Sequence, residues 1–111
     1  MKKLAFNIGE RLILIRILND AGTTGRTLSD IRLIFKTLDR IFLTDDEKKL
    51  VGFKDLGTTV NWEKTDYVKE IEFNDDEVKF MRTVFEDRDK NKKFSTNDTP
   101  NVITLTDKIL S

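Results

Sequence analysis

The sequence predicts an α+β fold, mostly α, with three to four helices packed on a two-stranded antiparallel β-hairpin. Three patterns carry that expectation. Residues 71–93 pass from alternating Ile71 and Phe73 through a capping residue, Asn74, into a helix with the acidic first turn Asp75, Asp76 and Glu77. Val78, Phe80, Met81, Val84 and Phe85 then share one arc of a 3.6-residue wheel, and Lys79, Arg82, Thr83 and Glu86 fill the other. Leu28, Ile31, Phe35, Leu38 and Phe42 recur at spacings of three and four, with Ile34 and Ile41 widening the stripe. Val60 and Trp62 alternate with polar neighbours, as do Ile71 and Phe73. The alternation predicts a hairpin pairing 58–63 with 69–73, its Trp62 and Phe73 turned to the core, because an isolated hairpin is marginal in water.

In chain order, Asn7 and Glu10 have capping-box spacing, which starts a first helix. Leu12, Ile13, Leu14, Ile15, Ile17 and Leu18 then take up almost the whole circumference, so this helix is expected to be buried on most sides. Its isoleucines also suit a strand, but the cap and the stop signal Asn19-Asp20-Ala21-Gly22 favour the helix. Thr27 and Asp30 cap a second helix, expected to pack antiparallel on the first; its seam-like spacing also admits a dimer seam. Thr44 and Glu47 open a short helix from Asp45 to about Val51, ended by Gly52, with Phe53 placed for the apolar contact after such an end. The pattern Val102, Ile103, Leu105, Ile109 and Leu110 fits a strand or a short helix. Ile41-Phe42-Leu43-Thr44-Asp45, Ile71-Glu72-Phe73-Asn74-Asp75 and Ile103-Thr104-Leu105-Thr106-Asp107 share an order of apolar, any, apolar, Thr or Asn, Asp. The residues between do not match, so each copy reads as an apolar segment ending in a helix cap rather than as a solenoid unit.

Composition narrows the function. The chain has 111 residues, 38% apolar and 36% charged, a single domain with one modest core. It has no Cys and no His, which removes thiolate chemistry, zinc-thiolate sites and the commonest general base. No enzyme and no cofactor are expected. No signal peptide or membrane span is read, since Arg16 breaks the run from Leu12 to Leu18 and no cleavage site follows. Net charge is zero but uneven: residues 1–43 carry eight basic against four acidic side chains, residues 44–89 eight against fourteen.

Two stretches are candidates for binding. Asp87, Asp89, Asn91, Ser95 and Asp98 occupy positions 1, 3, 5, 9 and 12 of an EF-hand-like loop over 87–98. Position 6 is Lys92, where a sharp turn needs Gly, and position 12 is Asp98, where the loop needs a bidentate Glu. A calcium module is therefore an alternative, and no metal site is assigned. The triplets Asp45-Asp46-Glu47 and Asp75-Asp76-Glu77 read as carboxylates on helix dipoles. The preferred site is the outer face of the second helix, where Arg32, Lys36 and Arg40 recur every fourth residue behind Arg26. Like charges at that spacing cost about 0.2–0.5 kcal/mol per pair, and the face is expected to meet an acidic protein surface, a partner's or a second copy's. A winged-helix nucleic-acid binder is the alternative; against it, the helix in the recognition position opens with Asp45-Asp46-Glu47.

Glu10-Arg11-Leu12, Thr44-Asp45-Asp46-Glu47 before Gly52-Phe53, Val60-Asn61-Trp62, Lys69-Glu70-Ile71-Glu72-Phe73 and Lys92-Lys93-Phe94 together resemble the layout of small uncharacterised proteins encoded by tailed bacteriophages. No catalytic motif defines those proteins, so no site carries over. The resemblance implies an accessory or assembly protein working through protein contacts, in the host cytoplasm or in the virion.

Overall fold

Four side chains able to accept from a free backbone amide mark where helices begin: Asn7, Thr27, Thr44 and Asn74. The structure, a computed structural model, describes residues 2–22, 26–91 and 100–111. Among them the order is β1 (Lys2–Asn7), α1 (Ile8–Ala21), α2 (Leu28–Ile41), α3 (Asp45–Val51), β2 (Lys54–Asp55), β3 (Val60–Asn61), β4 (Val68–Phe73), α4 (Asp75–Lys90) and α5 (Pro100–Leu110). The fold is α+β and mostly α, with five helices among the described residues, one more than the upper expectation. Gly52 ends α3 in the left-handed region, φ 67°, and Phe53 N–H reaches back to Lys48 C=O at 2.9 Å.

The strand pairing departs from the expectation. β4 pairs antiparallel with β1, from Lys2↔Phe73 to Asn7↔Val68, and not with 58–63. Leu4, Phe6, Ile71 and Phe73 point to one face and are buried, with the Phe6 and Phe73 rings 6.2 Å apart. That face outweighs anything β3 offers: Val60 is 41% exposed, and β3 pairs only with β2 in a small exposed hairpin. Trp62, expected in the core, is half-buried. The first helix is helical, as its cap implies. The C-terminal pattern is also helical, because Val102, Leu105 and Ile109 lie three and four apart and bury one face. Pro100 takes its first position, where a missing N–H costs nothing.

Of the three similar pentapeptides, the first two end in caps of α3 and α4, whereas Ile103 to Asp107 lies within α5 and caps nothing. A different correspondence holds in space. Leu4, Phe6, Asn7, Glu10, Leu14, Ile17 and Leu18 match Ile71, Phe73, Asn74, Glu77, Met81, Val84 and Phe85 at one constant offset. All are buried except the two capping asparagines. Leu4 and Ile71, equivalent under this offset, are also partners in the ladder. A local two-fold normal to the sheet at that pair therefore exchanges β1–α1 with β4–α4.

The flanking helices obey the same exchange. With the offset one residue longer, Ile34, Thr37, Arg40 and Ile41 of α2 match Val102, Leu105, Lys108 and Ile109 of α5. Arg40 donates to Glu77 at 2.8 Å and to the Glu72 carbonyl at 3.3 Å. Lys108 donates to Glu10 at 2.8 Å and to the Ala5 carbonyl at 2.9 Å. The chain is thus two βαα halves joined by α3, β2 and β3, and each half supplies the cation for the other's buried glutamate. These bonds also occupy outward carbonyls on both sheet edges, positions that would otherwise template further strand pairing.

Candidate docking site

Three glutamates that close capping boxes are buried, although their triplet neighbours Asp45, Asp46, Asp75 and Asp76 are exposed as expected of carboxylates on a helix dipole. Glu10 and Glu77 are held by the exchanged cations. Glu47 is held differently, by Arg11, which has 0% relative exposure. The guanidinium donates to Glu47 from Nη1 at 2.6 Å and from Nη2 at 3.0 Å, and its other N–H groups reach the Ile41 and Phe42 carbonyls at 3.0 and 2.9 Å. Tyr67 donates its hydroxyl to Glu47 at 2.8 Å. At the position equivalent to Arg11, the other half has Val78, so this cluster is specific to the α1–α3 contact.

Arg11, more than the Thr44 amide and the Tyr67 hydroxyl, holds the Glu47 carboxyl at about 2, down from 4.5, against the opposing effect of burial. The accepted hydrogen bond from Tyr67 in turn pushes that phenol up. Because the folded value lies below the unfolded one, the stabilisation is full above the ordinary carboxylate range and is lost as pH falls from about 4.5 towards 2. A shift of this size corresponds to about 3 kcal/mol. Urea melts of the native chain should therefore show stability falling over that window, and Glu47→Gln should flatten the fall. An equal acid slope in the variant would place the titration elsewhere.

The basic face of α2 splits into two kinds of residue. Arg40 serves Glu77, and Arg26 donates from Nε to the Ala21 carbonyl at 2.9 Å while its guanidinium lies 5.6 Å from the Phe80 ring centre. Arg26 thus caps the end of α1 and packs on α4. Arg32 and Lys36 are exposed and make no ion pair among the described residues. Both line a groove of about 510 Å³ between α2 and α4, joined by Lys79 and by Leu33 and Phe80 as its apolar floor. Arg26 also reaches it, and Asp30 and Asp76 are its acidic members, leaving basic groups in excess. Sequence reading missed Lys79, which lies on the helix face opposite the α4 core; only the packing of α4 on α2 turns it towards Lys36.

The expected seam of α2 also divides. Ile34, Leu38 and Ile41 are buried, and Ile31 is half-buried, facing the core. Leu28, Phe35 and Phe42 are 64, 62 and 47% exposed. Their spacing of seven was the available signal, since it separates them from the arc of Ile34, Leu38 and Ile41.

The EF-hand-like stretch begins inside α4, which stays helical through Lys90, so Asp87 and Asp89 leave the helix on different sides. Asn91 follows the helix end, and Ser95 and Asp98 lie outside the described residues. No helix among the described residues is long and apolar enough to cross a membrane. No protein-family model matches the chain, and no curated protein or solved structure is significantly similar to it.

Proposed function

We propose that the chain is a non-catalytic docking protein whose α2–α4 groove takes an acidic, partly apolar segment of another protein. The observation that carries this reading is the pair Arg32 and Lys36, exposed, without an ion pair among the described residues and joined by Lys79 around the apolar floor of Leu33 and Phe80. The internal two-fold supplies a control. Helix α5 does the structural work of α2, flanking the sheet and sending a cation to a buried glutamate, yet it has Pro100 and Thr104 where α2 has Arg32 and Lys36. The fold does not need those charges, and a binding role accounts for them. The resemblance to small phage-encoded proteins supports an accessory or assembly role for such contacts. Asp30 and Asp76 in the groove, and Asp45 and Asp46 exposed on α3, weigh against a nucleic-acid backbone as the occupant.

Charge-led docking of this kind weakens as salt screens it. The test is recovery of the partner from the native source at low salt, followed by calorimetry with the purified partner. Lys36→Glu with Lys79→Glu should leave the melting temperature within a few degrees, because both side chains are exposed, and should weaken binding at least about tenfold. Undiminished affinity in the double variant would remove the groove from the interface.

A further inference from the structure

We infer that the outer edge of α2 is a self-association surface, on which a second copy of the chain docks its own α2 antiparallel about a two-fold axis at Phe35. This goes beyond the groove reading and shares only Arg32 with it. Leu28, Phe35 and Phe42 are large, apolar and exposed. Residues seven apart on a straight helix drift only about 20° per heptad, so the three form one ridge, about 21 Å long at 1.5 Å per residue. The core does not use this ridge, since α2 packs inward through Ile34, Thr37, Leu38 and Ile41.

Charge identifies the occupant and its direction. Arg32 and Asp39 are also seven apart, on the flank of the ridge away from Leu38, and neither makes an ion pair among the described residues. In a two-fold interface, if one residue meets a second, the second meets the first. With the axis at Phe35 and the helices antiparallel, Phe35 meets Phe35, and Leu28 of each copy meets Phe42 of the other. Like flanks then face each other. Arg32 falls within one residue of level with Asp39 of the second copy, on both sides of the axis. A parallel pair brings no such opposite charges together, and an unrelated apolar partner would leave both unmatched. Helix α5, with Ile103, Pro100 and Asp107 at the equivalent positions, lacks both the basic flank and the ridge's second phenylalanine. A contact one helix wide lies at the small end of specific interfaces, below about 1,200 Å² in total, so the dimer is expected to dissociate on dilution.

Sedimentation velocity on the full chain, from about 10 μM to about 1 mM, spans the dissociation constants such an interface reaches. The wild type should pass from monomer to dimer, and Phe35→Lys should stay monomeric throughout. Arg32→Asp and Asp39→Arg should each raise the dissociation constant about tenfold or more, and the two together should restore it to within about threefold. Lys36→Glu with Lys79→Glu should leave the dimer intact, so failure of the groove and failure of the ridge are separate results. Circular dichroism establishes that each exposed-site variant is folded. A wild type monomeric at the top of the range, a dimer indifferent to Phe35→Lys, or a charge swap without rescue each overturns the proposal.

Discussion

Arg11→Ala is expected to lower the unfolding free energy by about 3–5 kcal/mol, because it leaves a buried carboxylate without its partner. Domains of this size are stable by about 5–15 kcal/mol in all, so the variant should melt more than about 10 °C lower or fail to fold. The loss has two sources. Glu47 keeps its charge with only the Tyr67 hydroxyl, the Thr44 amide and the more distant Lys69, 3.8 Å away. The Ile41 and Phe42 carbonyls lose the donors that satisfied them at the end of α2. Pairing Arg11→Ala with Glu47→Gln should recover about 1–2 kcal/mol, since Gln can still close the capping box and brings no charge. A chemical-denaturation cycle of the wild type, the two singles and the double measures this coupling. If Arg11→Ala cost less than about 1 kcal/mol, the guanidinium would have to be solvated in solution.

The same cluster shows where reading the sequence runs out. Caps are short-range devices, and Asn7, Thr44 and Asn74 were legible because donor and acceptor sit three residues apart. The same letters do not say that the glutamate closing each box is buried, since that depends on a cation 98, 36 or 37 residues distant. Strand β1 was missed for a related reason. Leu4 and Phe6 give only two apolar positions beside charged neighbours, and their partner strand lies at the far end of the ladder's long connection. β4 was instead assigned to the nearest alternating segment, although that segment carries only Val60 and Trp62.

On α2 the sequence pattern picks out every apolar residue but Leu33, and it does not separate their faces. Seven apolar residues in the helix, with Phe42 at its C-cap, cover more arc than a single core contact can bury. Packing against α1 and β4 took Ile34, Leu38 and Ile41, and left Leu28, Phe35 and Phe42 outside. The basic stripe likewise mixed fold and surface roles, because Arg40 and Arg26 look no different in sequence from Arg32 and Lys36. The duplicated Phe-Asn-x-x-Glu, at Phe6 to Glu10 and Phe73 to Glu77, is the sequence's own mark of the two-fold, but five letters that also spell an ordinary capping box do not by themselves imply a repeat.

The second large effect is expected at Phe85, which was assigned to the core from its helical phase and has 0% relative exposure. It lies on the inner face of α4 beside Met81 and Val84, in the one apolar cluster that also holds Leu14, Ile17 and Leu18 of α1. Phe85→Ala removes a ring from a fully buried place in that cluster, so the cost should be about 3–5 kcal/mol. The two-fold sharpens the expectation. Its equivalent in the other half is Leu18, also at 0% exposure, which means the local backbone accepts a leucine there. Phe85→Leu should therefore cost only about 1–2 kcal/mol, the price of lost volume without a new rotamer conflict. Thermal or urea unfolding of the two variants separates the contributions. Were Phe85→Ala to melt like the wild type, the α1–α4 interface would be assigned wrongly; were Phe85→Leu to cost as much as Phe85→Ala, the two halves would differ in backbone where the two-fold makes them alike.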